Sequence, residues 1–165
     1  MPDSPPPPGP WFALFTEIGI LGQLSRAMLE ARLPPGFLQP HFSVLNHLIR
    51  VRDGQTPLAL ARAFQVPKTT MTHTLAGLER GGLVRMAPNP RDGRSKRVWI
   101  TDAGRAFREE AIAALSPDLA ALTARFPSDR VAAVLPVMAE LRAVMDAMRD
   151  EDPDDPAQPP PPLVR

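Results

Sequence analysis

The 165-residue chain contains no cysteine, and none of its apolar runs is long. The absence of cysteine excludes disulfides, thiolate metal sites, cysteine nucleophiles and thiol-based redox sensing. A membrane-spanning helix needs roughly 18 consecutive apolar residues, and no stretch of the sequence approaches that length. The first ten residues, MPDSPPPPGP, lack the basic and apolar regions of a signal peptide. We therefore expect a cytoplasmic protein.

Proline is abundant, but its 22 residues are concentrated at the two ends of the sequence. Six lie in residues 1–10 and six in residues 151–165, which leaves ten for the centre. Segments dominated by proline and acid bury too little apolar surface to fold alone. We expect disordered tails at residues 1–10 and 150–165, on either side of one domain formed by residues 11–149.

The net charge of +1 conceals an uneven distribution of charge along the chain. Residues 1–40 carry two basic and three acidic side chains, and residues 106–165 carry six and eleven. Residues 41–105 carry eleven basic and four acidic side chains, a net charge of +7. A basic segment between acidic ends favours a polyanionic partner, although a solvated charged face is the alternative.

Apolar residues at helical spacing predict a mainly α protein. The predicted helices cover residues 11–32, 38–51, 57–64, 67–80, 102–115 and 129–149. Thr56-Pro57 and Thr101 are typical helix starts, and the helix after Thr56 is expected to bury Leu58, Ala61 and Phe64. Pro117 and Pro136 are expected to interrupt or kink the later helices. The first and last helices have apolar surfaces wider than one stripe, which indicates an oligomer interface.

Two short β-like runs, residues 83–86 and 97–100, enclose the segment APNPRDGRSK. This pattern predicts a β-hairpin with a basic tip. The preceding helix has Met71, Leu75 and Leu78 on one side, and its other side is polar or small with a single charge. Helix, turn, polar-faced helix and basic hairpin together constitute a winged helix-turn-helix, an α+β fold. A helix of about 10–12 Å diameter fits a DNA major groove about 12 Å wide.

The segment from Leu60 to Gly104 resembles the MarR family of bacterial transcription regulators. The resemblance rests on Leu60-Ala61, Val66, the threonine-rich helix, Leu78-Glu79, Gly82-Leu83-Val84, Asp92-x-Arg94 and Ile100 to Gly104. With the flanking helices it covers roughly residues 11–149. It implies a homodimer held by residues 11–36 and 106–149, with residues 37–105 as the winged helix-turn-helix. It also implies binding to a palindromic promoter site, usually as a repressor and often released by a small molecule.

The candidate DNA contacts lie on the polar-faced helix and the hairpin. On the helix, Thr69, Thr70, Thr72 and His73 are candidates for base edges and Lys68 for a phosphate. Thr69 or Thr70 could instead only cap the helix. The resemblance implies that Arg94 enters the minor groove, oriented by Asp92; a surface salt bridge between the two is the alternative. Arg91, Lys96 and Arg97 are further phosphate candidates, and Arg97 could point away from DNA.

The resemblance also implies a ligand pocket between the outer helices and the winged helix. The aromatic or polar candidates near it are Phe12, Phe15, His41, Phe42 and His47, with core packing as the alternative for the phenylalanines. We expect no metal or cofactor site, since three histidines without cysteine are too few for the usual ligand clusters. No catalytic constellation is evident. A winged-helix protein-interaction module without DNA binding is the alternative function, but it should present an apolar or acidic face.

Overall fold

A computed structural model describes residues 9–150, with side chains through Met148. Residues 1–8 and 151–165, on which most of the predicted tails fall, lie outside the described residues; Pro10 is already helical. Seven helices and a two-stranded antiparallel hairpin make up the described part. They are α1 Pro10–Glu30, α2 Gln39–Arg50, α3 Pro57–Ala63, α4 Lys68–Arg80, β1 Val84–Asn89, β2 Asp92–Ile100, α5 Asp102–Ala114, α6 Ser116–Thr123 and α7 Ser128–Asp150. In this part of the chain, no helix is long and apolar enough to cross a membrane.

Two predicted helix starts are confirmed by hydrogen bonds to threonine side chains. The hydroxyl oxygen of Thr56 accepts from the Ala59 amide at 3.2 Å, and that of Thr101 accepts from the Gly104 amide at 3.0 Å. Each satisfies an amide that has no partner within the first turn of its helix. Gly104 also packs closely against the backbone of Leu83, because a Cβ atom at Gly104 would overlap the Leu83 carbonyl oxygen. These contacts fix the starts of α3 and α5.

A hydrophobic core joins α2, α3, α4 and the hairpin. Its most deeply buried side chains are Val44, Leu45, Leu48, Leu60, Leu75, Leu78 and Val98. The expectation that Leu58 is buried was wrong, since Leu58 is 45% exposed and Leu60 is 0% exposed. In a helix of seven residues the apolar spacing is too short to define which face turns inward.

The hairpin is longer than the sequence pattern predicted. Its strands pair in register from Val84 opposite Ile100 to Pro88 opposite Lys96, and then shift so that Asn89 faces Asp92. Arg94 and Lys96 therefore lie on β2 and not in a loop, and Arg97 lies on β2 as predicted. The prolines suggested a loop, yet proline is tolerated on a strand that has no partner on one side.

A short bridge between Gln55 and Val98 connects the helix-turn-helix to the hairpin. The Val98 amide donates to the Gln55 carbonyl at 2.8 Å. The Oδ1 atom of Asp53 accepts from the Ile100 amide at 3.1 Å and from the Gly54 amide at 2.9 Å. These bonds hold the turn before α3 against the base of the hairpin.

The chain divides after Asp118 into two units. In the first, Arg32 donates two hydrogen bonds of 2.8 Å to Asp118, which lowers the pKa of that carboxyl. The break predicted near Pro117 is confirmed by the end of α5 at Ala114 and the start of α6 at Ser116. In the second unit, Pro136 lies inside α7 and does not interrupt it, and the predicted kink there stays a prediction. The predicted single domain of residues 11–149 stays a prediction.

Candidate nucleic-acid interface

The helix α4 has one buried and one exposed face, as its sequence predicts. Met71, Leu75 and Leu78 are at most 3% exposed and belong to the core. All five of the predicted contact residues on α4 are exposed: Lys68, Thr69, Thr70, Thr72 and His73. The packing of the apolar face therefore directs short hydrogen-bonding side chains and one lysine outward.

The threonines of α4 differ in how their hydroxyls are used. The Thr72 hydroxyl donates to the Lys68 carbonyl at 2.8 Å, and the Thr74 hydroxyl donates to the Thr70 carbonyl at 3.1 Å. Thr69 and Thr70 make no side-chain hydrogen bond with any described residue, and no side chain caps α4 at Pro67. The capping alternative for Thr69 and Thr70 is therefore not supported. Their hydroxyls are available to a partner.

At the hairpin tip, Arg91, Asp92, Arg94 and Lys96 are exposed. The Oδ1 atom of Asp92 accepts from the backbone amide of Arg94 at 3.0 Å. No ion pair between the two side chains is found among the described residues, so the salt-bridge alternative is not supported. In this structure Asp92 contacts the backbone of Arg94 and leaves its guanidinium free for an anion.

Arg97 is in a different environment from the other basic residues of the hairpin. It is half-buried, and its Nε atom donates to Oδ1 of Asn89 at 3.1 Å. It also lines a cleft of about 310 Å³. The other lining residues are Val51, Arg52, Gly54, Gln55, Thr56 and Ala59. Asn89 was not among the residues predicted from the sequence, although asparagine in a turn commonly bonds to the nearby backbone.

None of the predicted ligand residues lines that cleft. Two of them lie on α1 and the other three lie on α2. Phe12 and Phe15 are 64% and 44% exposed on α1. Phe42 is half-buried on α2. His47 accepts a hydrogen bond of 2.9 Å from the side-chain amide of Gln55, and its ring lies 5.2 Å from that of Phe64. The proposed pocket between the outer helices and the winged helix stays a prediction.

His41, on α2, packs against Gly77 of α4. Its Nδ1 atom accepts from the Leu38 amide at 3.0 Å, and its ring meets that of Phe37 edge-on. On the other side, a Cβ atom added to Gly77 would lie 2.7 Å from Nε2 of His41. Burial lowers the pKa of His41, and the nearby His73 and Arg80 lower it further. Among the described residues, no group of three potential metal ligands occurs at either histidine or elsewhere.

Comparison with known proteins shows a similarity to the MarR family. A model of the MarR family matches residues 36–95. A crystal structure of MarR superposes with a TM-score of 0.76 at 20% identity, over 92% of this chain and 99% of that chain. A single-site mutant of MarR from E. coli, solved in complex with operator DNA, has a TM-score of 0.64 and 27% identity over 78% of this chain and 93% of its own. Residues 36–95 of this chain are thus similar to the MarR family, and its fold matches that of MarR structures.

A third similar structure is that of the PcaV transcriptional regulator from Streptomyces coelicolor in complex with its natural ligand. It has a TM-score of 0.61 and 21% identity over 79% of this chain and 90% of that chain. The predicted winged helix-turn-helix is thus confirmed, and the chain has the fold of a MarR-family transcription regulator. The matched residues 36–95 contain α2, α3, α4 and the tip of the hairpin with Arg94.

Proposed function

We propose that this protein is a dimeric, sequence-specific regulator that binds double-stranded DNA and acts as a repressor. The observation that carries the proposal is the exposed hydroxyl-rich face of α4 beside a hairpin tip with free basic side chains. The operator complex of the E. coli MarR mutant, 27% identical to this chain, supports DNA as the partner. The protein-interaction alternative requires an apolar or acidic face. Among the described residues, the exposed side of α4 and the hairpin tip present no such face.

The dimensions of α4 suit a major groove. Its 13 residues extend about 20 Å at about 1.5 Å per residue. We propose that Thr69, Thr70, Thr72 and His73 contact base edges and that Lys68 contacts a phosphate. Because a hydroxyl can both donate and accept, these threonines pair with more than one base. Sequence preference therefore arises from several moderate contacts on one helix face.

We propose that the hairpin acts as the wing of the winged helix. Its tip carries Arg91, Arg94 and Lys96 as exposed cations without a described acidic partner. Arg94 is assigned to the minor groove, and Arg91 and Lys96 to phosphates. Arg97, which Asn89 already holds, contributes through the local positive potential.

The dimer is proposed from the apolar surfaces of α1 and α7. In α1, Trp11, Leu21 and Leu24 are each about 61% exposed, and in α7 Leu135 and Val137 are 61% and 63% exposed. Such surfaces on long helices are typical of an interface that a second copy covers. A two-fold dimer places its two α4 helices at half-sites about 34–36 Å apart.

The proposed release by a small-molecule effector draws on the PcaV structure, which holds its natural ligand. We propose that the site lies near Phe12, Phe15, His41, Phe42 and His47, where α1 and α2 carry exposed or half-buried aromatic rings. Binding there would act on α4 through the contact of His41 with Gly77.

Fluorescence anisotropy on duplex DNA from the region upstream of the protein's own gene tests the proposal. A scrambled duplex is the comparison, and the salt concentration is varied. We expect tight binding to the cognate duplex, with an affinity that falls steeply as salt rises. No binding to either duplex at low salt, and none to a random-duplex library, would favour the protein-interaction function.

Two variants separate the roles of the wing and of α4. Arg94→Ala should weaken binding to every sequence and reduce the salt slope by about one unit. Thr70→Ala should change the sequence preference while leaving the slope intact. Arg125→Ala, which removes an exposed arginine outside the winged helix, is the matched control and should match wild type.

A further inference from the structure

The side-chain amide of Asn89 connects both strands at the tip of the wing. Its Oδ1 atom accepts from the Arg91 backbone amide at 3.2 Å and from Nε of Arg97 at 3.1 Å. Its Nδ2 atom donates to the Ser95 hydroxyl oxygen at 2.8 Å. One side chain therefore contacts the turn and two positions of the opposite strand, at the point where the strand register shifts.

The contacts of Asn89 continue into the segment that carries Arg94. The Ser95 hydroxyl donates to the Asp92 carbonyl at 3.2 Å, and the Asp92 carboxylate accepts from the Arg94 amide. The strand register shifts between Pro88 and Asn89, just before the turn. The side-chain bonds add constraints at this irregular point, as asparagine and aspartate commonly do in turns.

We propose that Asn89 is the positioning residue of the wing, which fixes the turn so that Arg91 and Arg94 are presented to DNA before binding. The proposal rests on the DNA-binding function proposed above. Asn89 itself is half-buried, and three of its four hydrogen-bonding positions are occupied. It therefore acts through the residues that it holds and not as a reader of bases.

The physical benefit of this arrangement is preorganisation. A flexible turn that carries two arginines loses conformational entropy when it binds, and that loss weakens the complex. A turn already held by hydrogen bonds avoids most of the loss. The bond to Arg97 has a second effect, because it keeps that guanidinium beside the tip, where its charge adds to the local positive potential.

The chain provides a matched control, since it contains two asparagines, Asn46 and Asn89. Asn46 on α2 also accepts from an arginine: Nε and Nη2 of Arg108 donate to its Oδ1 at 3.2 and 3.1 Å. Asn46→Ala thus removes the same type of contact at a site away from the wing. The two alanine variants differ in where an asparagine–arginine bond is lost.

The first measurement is amide hydrogen exchange by NMR on the free, full-length protein. Asn89→Ala should speed exchange of the Arg91 amide by about tenfold, and Asn46→Ala should leave it unchanged. Asn89→Asp preserves both acceptor contacts and should retain the protection of Arg91. Wild-type protection of Arg91 in Asn89→Ala would overturn the proposal.

The second measurement is DNA affinity over a salt series. Asn89→Ala should weaken binding by about three- to tenfold at every salt concentration, with the slope unchanged because no cation is removed. A reduced slope, as expected of Arg94→Ala, would overturn the proposal by making this region a direct phosphate contact. Binding equal to wild type would overturn it too. Failure of the wild-type protein to bind any DNA would overturn the proposed function, and this proposal with it.

Discussion

The winged helix and the two longest helices are both rich in apolar residues, but they use them differently. In α2, α3 and α4, the side chains of Leu45, Leu60 and Leu75 are 0% exposed. The helix α1 has no buried residue over its 21 positions. In α7, from Ser128 to Met148, no side chain is buried either. The winged helix forms a core from its own residues, whereas α1 and α7 present apolar surface that another surface must cover.

This difference shows that apolar content alone does not define a core. Burial of apolar surface stabilises by roughly 25 cal/mol per Å², and only when another surface displaces the water. For α2, α3 and α4 the displacing surface is local in the chain. For α1 and α7 we propose a second copy, so their contribution should depend on protein concentration.

The largest expected effect is on the core. Leu60→Ala should lower the free energy of unfolding by about 2–5 kcal/mol, because the cavity left in a packed interior is only partly filled. Its matched control is Leu58→Ala on the same helix, where the side chain is 45% exposed. That change should cost less than about 0.5 kcal/mol. Chemical denaturation of both variants measures the difference, and equal losses would contradict the burial assigned to α3.

The next effect concerns the outer helices. Leu135→Glu on α7 should weaken the dimer by at least about tenfold, since it places a charge in the proposed interface. Analytical ultracentrifugation over a concentration series measures the dissociation constant. Val51→Glu, at a residue 69% exposed outside α1 and α7, should leave it unchanged. A wild-type chain that stays monomeric at all concentrations would remove the second copy as the covering surface.

A smaller effect is expected where α2 meets α4. Alanine at Gly77 favours the helix by about 1 kcal/mol, but its Cβ atom would lie 2.7 Å from Nε2 of His41. Gly77→Ala should therefore be more favourable by about 1 kcal/mol in a His41→Ala background than in wild type. A double-mutant cycle on unfolding free energies measures this coupling. Additive effects would show that the His41 ring moves aside freely.

The smallest effect is a pH dependence from His41. Folding lowers the pKa of this ring, so the folded protein binds the proton more weakly than the unfolded chain. The pKa of the unfolded chain is near the ordinary 6.5, so stability should fall as the pH drops below that value. Denaturation between pH 5 and 8 should show a steeper loss for wild type than for His41→Asn. His73→Asn should reduce the loss only in part, because His73 contributes to lowering the pKa of His41. An equally steep loss in His41→Asn would contradict the prediction.

Much of the fold was predictable because it depends on local signals. Thr56 and Thr101 start their helices as expected, and the inward face of α4 follows from the spacing of Met71, Leu75 and Leu78. Errors arose where the local signal was short or ambiguous. In the seven-residue α3, the apolar spacing did not show that Leu60 is buried and Leu58 is exposed. The prolines suggested a loop where the strands in fact continue.

The candidate interface was predictable in its residues but not in their contacts. Exposure of Lys68 and Thr69 follows from the periodicity of α4, and exposure of Arg94 follows from its place at the predicted hairpin tip. Nothing in the local pattern indicated that Asp92 would bond to the backbone of Arg94. The pattern allowed Arg97 to point away from DNA, but it did not indicate the bond to Asn89, which depends on which side of β2 faces that residue.

By itself the sequence determined the helix starts, the order of elements in the winged helix-turn-helix, the buried and exposed faces of α4 and the basic character of the hairpin. These features depend on residues within a few positions of one another, where capping and periodicity act. Only the tertiary structure decided the extent of the wing, the contact of His41 with Gly77 and the place of Asn89 at the tip. Those features depend on strand register and side-chain packing, which bring together atoms whose spacing along the chain carries no local signal.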